Sequence, residues 1–371
     1  MTISTLVVTD IDRFIGMKDF WDGELKDHTD DPFLLSCMLI EQWKLSQKLG
    51  WNPLLMLFVS SGEIIGFAPL LMRSNLGFRQ VSNFDHYRWP DFFSDNNREV
   101  CIDKMLSFLF KQLNCESASL TFEDESDNLR TLQKVCASRG LKFTKAPQEG
   151  QAIIPITGSL NSYKESLKRN DRKEFERNGR KLDKLGSWQI SCFALNHSSI
   201  SKIWAIERFS WKANLEGKKK ALKTLGLESI LNGIQRNSES EPLFESEVWT
   251  LELNNLPLAY VVVMKRNKTV FFVKTSFDSR FKIVSPGMFL MNELIERVFE
   301  NMVAEKIDFI SNIPCVQVWK PLVKKRAVIT ILRNPSLSRA RNLVFENRVS
   351  LKTSQIIEGL VWKNKKLDCL V

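Results

Sequence analysis

The chain has 371 residues, a formal net charge of +10 and a pI near 9.2; 43 % of its residues are hydrophobic and 26 % are charged. This length allows two domains with their own cores, and no apolar run reaches the ~20 residues of a membrane span. The first residues lack the basic-then-apolar layout of a secretory leader, so we expect a cytoplasmic protein without a transmembrane segment. Its positive charge suits anionic partners, a peripheral membrane surface among them.

The cysteines and histidines argue against a metal centre. Seven cysteines are scattered singly, none of them in a C-x-x-C pair, and the chain has three histidines. Structural zinc sites and disulfide frameworks need closely spaced Cys or His residues. We therefore expect free, mostly buried thiols and no metal.

Residues 33–122 predict a helix, a β-hairpin, a helix and a strand, in that order. Hydrophobic periodicity and turn residues set the boundaries. The predicted elements are a helix over 33–49, strands over 54–60 and 64–72 around Ser61-Gly62-Glu63, a helix over 98–113 and a strand over 117–122.

A basic segment follows over residues 158–186. Lysines and arginines alternate there with apolar residues at helical spacing, such as Tyr163, Phe175 and Leu182. The pattern predicts a basic amphipathic helix. Three interpretations stay open: a solvated helix face, a clamp for a phosphorylated substrate, or an arm that contacts tRNA.

The pattern of the first stretch then returns. The predicted elements are a helix over 199–212, strands over 247–253 and 257–265 around Asn254-Asn255, a strand over 269–275, a loop over 276–284, a helix from Ser285-Pro286-Gly287 to about 304 and a strand over 306–311. Such a repeat predicts two mixed α/β units. We expect domains at 1–157 and 158–335, and a tail over 336–371 that packs on them.

The turn Ser285-Pro286-Gly287 is the strongest candidate for a binding site. A small-residue turn between a strand and a helix N-terminus presents free N–H groups and the positive end of the helix dipole to an anion. The pyrophosphate of CoA is such an anion. The alternative is an ordinary cap, because Ser and Pro are common at the first positions of a helix.

Several short motifs stand in a fixed order between residues 30 and 325. They are Asp31-Pro32-Phe33, Gly62-Glu63-Ile64-Ile65-Gly66-Phe67-Ala68-Pro69-Leu70, the basic helix 167–185, Phe209-Ser210-Trp211-Lys212, Phe277-Asp278, Ser285-Pro286-Gly287-Met288-Phe289-Leu290, Asp308-Phe309 and Trp319-Lys320. In this order the chain resembles the CelD/BcsL-type acetyltransferases of the GNAT superfamily, whose relatives include the Fem aminoacyl transferases. Two stretches depart from that family: 311–315 replaces a small or glycine-rich turn, and Trp319 replaces a tyrosine.

The resemblance implies two tandem GNAT-like domains with a central basic helix, and acetyl-CoA or another acyl-CoA as donor. The first repeat carries acids over 92–99 that would repel a pyrophosphate, so we expect one donor site, in the second repeat. We expect the donor to contact Thr275, Arg280, Lys282, Ser285, Gly287 and Met288.

Asp278 and Asp85 are the candidate catalytic bases, since N-acylation needs a neutral amine. We expect His86, Tyr87, Trp211, Lys212 and Lys320 to line the acceptor site. For the two acids, the alternative is a loop aspartate that caps nearby amides.

The resulting hypothesis is an N-acyltransferase that moves an acyl group from acyl-CoA to a small-molecule or glycan amine, such as an amino sugar of surface polysaccharide synthesis. One alternative is a Fem-like aminoacyl transferase that uses charged tRNA. Another is a non-catalytic GNAT-like binding module.

Overall fold

The computed structural model describes residues 3–25, 29–75, 78–84, 93–94, 97–239, 241–301 and 304–333. They form two compact units: the first takes in the described residues of 3–25, 42–150 and 324–333, and the second those of 29–41 and 151–323. The predicted domain boundaries are continuous in sequence, whereas each unit takes in a segment from elsewhere in the chain. The boundaries stay predictions, and the tail predicted over 336–371 lies outside the described residues.

The chain contains ten helices and thirteen strands among its described residues, with short 3₁₀ or π-helical turns between some of them. In chain order the elements are β1 (Ser4–Val8), α1 (Ile11–Gly16), α2 (Lys18–Leu25), α3 (Ser36–Lys48), β2 (Asn52–Ser60), β3 (Glu63–Asn75), β4 (Phe78–Asn83), β5 (Phe93–Ser94), α4 (Arg98–Ser107), β6 (Ser117–Glu123), α5 (Asp127–Ser138), β7 (Lys142–Pro155), α6 (Leu160–Ser166), α7 (Arg169–Leu185), β8 (Trp188–Ala194), α8 (His197–Glu207), α9 (Gly217–Ser238), β9 (Glu245–Leu253), β10 (Leu256–Arg266), β11 (Thr269–Phe277), α10 (Pro286–Asn301), β12 (Lys306–Asp308) and β13 (Leu322–Leu332). None of the described helices is both long and apolar enough to cross a membrane.

The sheet of the first unit contains the strand order β1-β2-β3-β4-β6-β13. Neighbouring strands are antiparallel except β4 and β6, which are parallel. Its core includes Met105 of α4, Leu132 of α5 and Ile329 of β13, all of them buried. This unit therefore has a complete hydrophobic core of its own.

The sheet of the second unit contains the order β8-β9-β10-β11-β12-β7. Neighbours are antiparallel except β11 and β12, which are parallel, and only the end of β7 takes part. Its core includes Leu182 of α7, Val261 of β10 and Leu290 and Ile295 of α10. The basic helix predicted from the sequence thus supplies part of this core.

The two sheets share one order of pairings: three antiparallel steps, one parallel step and a last antiparallel step. The predicted fold class, α/β with mixed sheets, is confirmed, and the shared order supports the internal repeat. The last strand of each sheet follows the other repeat in the chain: β13 completes the first sheet and the end of β7 completes the second.

Both predicted hairpins are confirmed, and each has a turn that its residues favour. Ser61 and Gly62 join β2 to β3 with φ of 53° and 90°, and Asn254 and Asn255 join β9 to β10 with φ of 50° and 65°. Positive φ at both central residues is the type I′ geometry, which matches the twist of the flanking strands.

Three predicted elements are shorter than expected. The basic segment forms two helices, α6 and α7, because Leu167 and Lys168 are extended between them. The helix predicted over 199–212 ends at Glu207, since Ser210 is extended and caps a new 3₁₀ turn over Trp211–Asn214. The strand predicted over 306–311 ends at Asp308.

Candidate functional site

The sheet of the second unit opens where β11 and β12 part. The two strands pair only through residues 269–271 and 306–308. Beyond that point β11 continues to Phe277 with β10 on one side and no described strand on the other. No described strand therefore pairs with this edge of β11 over residues 272–277.

A strained turn ends β12. The buried Asp308 carboxylate accepts the N–H of Ile310 at 2.7 Å, and Ile310 is left-handed with φ of 65°. That conformation is unfavourable for a β-branched residue, and strained backbone of this kind concentrates at ligand sites. The turn keeps the chain from continuing alongside β11.

Ser285-Pro286-Gly287 connects the 3₁₀ turn Ser279–Val284, which follows β11, to α10. Ser285 is left-handed (φ 45°, ψ 55°), and its carbonyl accepts the first helical hydrogen bond, from Phe289 at 3.0 Å. Pro286 has no N–H, and the N–H groups of Gly287 and Met288 have no partner among the described residues. Two free amides at the positive end of a helix suit an anion.

The turn is packed against the end of β11 and against the basic helix. A Cβ added at Gly287 would lie 3.3 Å from the ring of Phe277. Lys181 of α7 donates to the carbonyl of Ile283 at 2.8 Å. The basic helix is thereby placed next to the free amides, where its positive charge favours an anion.

Asp278, the predicted base, is 1 % exposed and caps the 3₁₀ turn Ser279–Val284. Its carboxylate accepts the N–H of Arg280 at 3.0 Å and the guanidinium of Arg280 at 2.6 to 3.1 Å. Arg280 also lies over the ring of Phe209, 3.6 Å from its centroid, and Ser279 donates to the Phe209 carbonyl at 2.9 Å. The fold thus brings residues 209–212 to Asp278, whose catalytic role stays a prediction.

A second charged cluster lies on the face of the sheet opposite α10, because Tyr260 alternates with Ala259 and Val261, which pack in the α10 core. Its centre is Glu207, the last residue of α8. The Glu207 carboxylate accepts the Tyr260 hydroxyl at 2.5 Å, the Lys212 ammonium at 2.6 Å and a weaker bond from Ser210 at 3.1 Å. The cluster is therefore a hydrogen-bonded, buried ion pair.

The pKa values of this cluster follow from burial and charge. Burial raises the pKa of Glu207, but Lys212 and the hydrogen bonds outweigh it and hold that pKa below the ordinary 4.5. Burial lowers the pKa of Lys212 despite its carboxylate partner, and burial raises the pKa of Tyr260 well above 10. At neutral pH Glu207 is thus ionised and Tyr260 remains a donor.

Lys274 belongs to the same cluster. It lies on β11, half-buried, with its backbone paired to β10. Its side chain makes no hydrogen bond or ion pair with the described residues. Burial, and to a smaller extent the charges of Lys212 and Lys223, lower the pKa of Lys274 to about 7 against the opposing charge of Glu207. A large part of Lys274 is neutral at physiological pH.

The other predicted site residues are distributed as follows. Thr275 donates to the Tyr260 carbonyl at 3.0 Å, Lys282 is exposed before the Ser285 turn, and Trp211 is 43 % exposed beside Lys212. Lys320 instead donates to the carbonyl of Ser166 at the end of α6. Asp85, His86 and Tyr87 lie outside the described residues.

Glu207, Tyr260 and Lys274 were not predicted from the sequence, although two of them carry a signal. Tyr260 and Lys274 each interrupt an apolar strand, within Leu258–Val263 and Val270–Thr275 respectively, and a polar residue in a buried strand needs a partner or a role. Glu207 carries no such signal, because its helix was predicted to continue to Lys212.

Among the described residues no group of three or more His, Cys, Asp or Glu side chains could hold a metal ion.

In the first unit, the place that corresponds to the opening between β11 and β12 is closed. There β4 and β6 pair in parallel, and the Asn83 side chain at the end of β4 accepts the N–H of Thr121 of β6 at 2.7 Å. The gap that stays open in the second unit is bridged in the first.

Known structures resemble the chain over most of its length. The structure of FemX matches with a TM-score of 0.57 at 12 % identity, over 88 % of this chain and 96 % of that one. A conserved protein of unknown function from Bacteroides thetaiotaomicron matches with 0.57 at 11 %, over 90 % and 100 %. The C-terminal domain of a putative lysylphosphatidylglycerol synthetase from Agrobacterium fabrum matches with 0.53 at 10 %, over 90 % and 95 %. At these identities the likeness concerns the fold.

No curated protein matches the chain in sequence. The family model of the acetyltransferase (GNAT) domain matches residues 169–312, the stretch that holds α7, the Glu207 cluster, the open edge of β11 and the turn before α10. The finer likeness to CelD/BcsL-type members stays a prediction. The second unit therefore contains a GNAT-type acetyltransferase domain.

Proposed function

We propose that the second unit is an N-acyltransferase that takes its acyl group from acyl-CoA and transfers it to an amine. The observation that carries the proposal is the pair of amides of Gly287 and Met288, which have no partner among the described residues and follow the short 3₁₀ turn after a strand with an unpaired edge. The amides suit the pyrophosphate of CoA. The edge of β11 suits the amide groups of its pantetheine arm, which can pair with a strand as a peptide does.

The charges around this turn suit the same donor. Lys181 reaches the loop before the turn, and Arg280 and Lys282 are exposed within that loop. Acyl-CoA carries several phosphate charges, so a basic rim raises its association rate and affinity. We assign these three side chains to the donor together with Thr275, Ser285 and the two free amides.

The chemistry asks little of the protein beyond position and charge. The neutral amine attacks the thioester carbonyl, and the developing oxyanion is stabilised by backbone N–H groups of the β11 edge. The CoA thiolate leaves and takes up a proton.

We further propose a sugar-like amine acceptor, as in surface polysaccharide synthesis. Phe209 and Trp211 are 41 % and 43 % exposed on the segment that reaches Asp278. Exposed aromatic rings beside charged groups suit the alternating apolar and polar faces of a sugar ring. The resemblance to CelD/BcsL-type proteins supports the same class of acceptor.

A single backbone N–H group provides the test. Met288→Pro removes one of the two free amides in the first turn of α10, where proline is tolerated, and Met288→Ala is the matched control. We expect isothermal titration to show acetyl-CoA binding to the wild type and to Met288→Ala. Met288→Pro should bind about tenfold more weakly or worse, since a hydrogen bond to a charged group contributes about 1.5–3 kcal/mol.

Two results would contradict the proposal. The first is the absence of measurable heat with acetyl-CoA at millimolar concentration. The second is equal affinity of Met288→Pro and Met288→Ala, which would place the pyrophosphate elsewhere. Binding of tRNA with a steep salt dependence, and without acetyl-CoA binding, would instead favour the aminoacyl transferase alternative.

A further inference from the structure

A β-bulge sets the direction of the Lys274 side chain. Phe272 pairs with Val263 and Lys274 pairs with Val262, so Val273 is an extra residue in β11. Phe272 packs in the core under α10, whereas Lys274 shares the opposite face with Tyr260. Bulges of this kind redirect a side chain and are frequent next to active sites. Lys274 also lies within the part of β11 whose other edge has no strand partner.

The groups that face Lys274 come from four other elements. They are Glu207 at the end of α8, Lys212 in the 3₁₀ turn, Lys223 of α9 and Tyr260 of β10. Glu207 is already engaged by Lys212, Tyr260 and Ser210. Among the described residues Lys274 therefore faces net positive charge without a carboxylate of its own, which favours its neutral form.

The two nearby carboxylates are poorly suited to accept a proton. Both oxygens of Asp278 accept hydrogen bonds from Arg280 in a charge-assisted pair. Glu207 is held in the same way by Lys212 and Tyr260. An ionised, paired carboxylate must give up these bonds before it can take a proton. Lys274 has no such bond to lose.

We propose that Lys274 is the general base of the transfer reaction: its neutral amine removes a proton from the ammonium group of the acceptor. This inference rests on the proposed function. The acceptor amine then attacks the thioester carbonyl, the C–N bond forms and the C–S bond breaks. The ammonium of Lys274 returns a proton to the departing CoA thiolate, and the excess proton of the acceptor passes to solvent. The positive cluster also favours the neutral form of the acceptor amine.

The sign of the pH dependence follows. Lys274 accepts a proton only when it is neutral, so kcat/KM should rise as pH rises through about 7 and then level off. Lys223→Met removes a like charge and should move the inflection to higher pH. Lys220→Met is the matched control, since Lys220 lies on the same helix and donates to the carbonyl of Ala213.

The first measurement does not need turnover. Competitive labelling with acetic anhydride over pH 5 to 11, read by mass spectrometry, should show half-maximal labelling of Lys274 near pH 7. Lys223→Met should raise that midpoint, and Lys220→Met should leave it in place. A Lys274 midpoint near that of an ordinary lysine, about 10.4, would overturn the proposal.

The second measurement is acetyl transfer from acetyl-CoA to glucosamine, with acetyl-CoA binding followed in parallel. Lys274→Arg and Lys274→Met should lose about 100-fold or more in kcat while acetyl-CoA affinity stays within about threefold. Arginine keeps the charge but cannot act as a base at neutral pH. If Lys274→Arg binds acetyl-CoA and keeps its activity, Lys274 is not the general base, and the proposed acyltransferase function is unaffected. Absence of acetyl-CoA binding in the wild type would overturn the proposed function and the base with it.

Discussion

Removal of the Tyr260 hydroxyl tests whether Glu207 is an ionised hydrogen-bond acceptor in the buried cluster. Tyr260 is fully buried, and its hydroxyl lies 2.5 Å from Oε1 of Glu207. Tyr260→Phe deletes this donor and keeps the ring. Lys212 and Ser210 still donate to the carboxylate, so Glu207 is not left without a partner.

The expected cost follows from the charge of the acceptor. A hydrogen bond to an ionised group contributes about 1.5–3 kcal/mol, against about 0.5–1.5 kcal/mol for a neutral pair. We expect Tyr260→Phe to lower the free energy of unfolding of the second unit by about 2 kcal/mol. Tyr163→Phe is the matched control in the same unit, since the Tyr163 hydroxyl donates to the neutral carbonyl of Trp319 at 3.0 Å. We expect about 1 kcal/mol there.

Hydrogen exchange read by mass spectrometry in rising urea separates the two units. Peptides from β9 to β11 report the second unit, and peptides from β2 and β3 serve as an internal control that neither variant should change. If Tyr260→Phe costs no more than Tyr163→Phe, Glu207 is not the ionised acceptor that we describe, and the reasoning on the cluster fails.

Two further predictions concern the same unit. Glu207→Gln leaves Lys212 without its counter-ion; the two side chains are 10 % and 13 % exposed, so we expect a loss of about 3 kcal/mol at pH 7. Because the folded-state pKa of Glu207 lies below 4.5, the contribution of the ion pair is present above that pH and is lost as pH falls through the lowered pKa. The urea midpoints of the wild type and the variant should therefore converge as the pH falls through that lowered pKa. Gly287→Ala would place a Cβ 3.3 Å from Phe277, and we expect acetyl-CoA affinity to fall several-fold by titration, whereas an unchanged affinity would show that the turn tolerates this shift.

Local features of the fold could be predicted from the sequence, and distant pairings could not. Ser61-Gly62 and Asn254-Asn255 specify hairpin turns by their own conformational preference, so both hairpins were found. No local pattern tells that β13 pairs with β6, whose residues are roughly 200 positions away. Domains predicted from the sequence alone are therefore continuous segments, here 1–157 and 158–335, and these boundaries stay predictions.

In the candidate site too, local features could be predicted from the sequence and contacts between distant residues could not. The turn at Ser285 was recognised because its residues lie next to one another in sequence. The chemistry of Lys274 depends on Glu207, Lys212 and Lys223, which the fold brings together from separate elements. The decisive local event is the break after Glu207, where Ser210 stops the helix and turns Lys212 back onto the carboxylate. The sequence predicts a helix that continues to Lys212, so it gives no sign of the contact between Lys212 and Glu207.

The two repeats share one strand order, but they differ at the point where their parallel strands separate. Each contains a parallel pair that separates after three residues, β4 with β6 and β11 with β12. Backbone groups exposed by such a separation must find a partner in protein, water or ligand. In the first unit Asn83 supplies one by accepting the N–H of Thr121. In the second unit the described residues supply none along 272–277, and the same segment carries the bulge at Val273 and leads to the free amides of α10. A donor that offers amide groups to a strand edge and phosphate to a helix N-terminus satisfies both needs at once, which is why the second repeat, and not the first, is the place to look for acyl transfer.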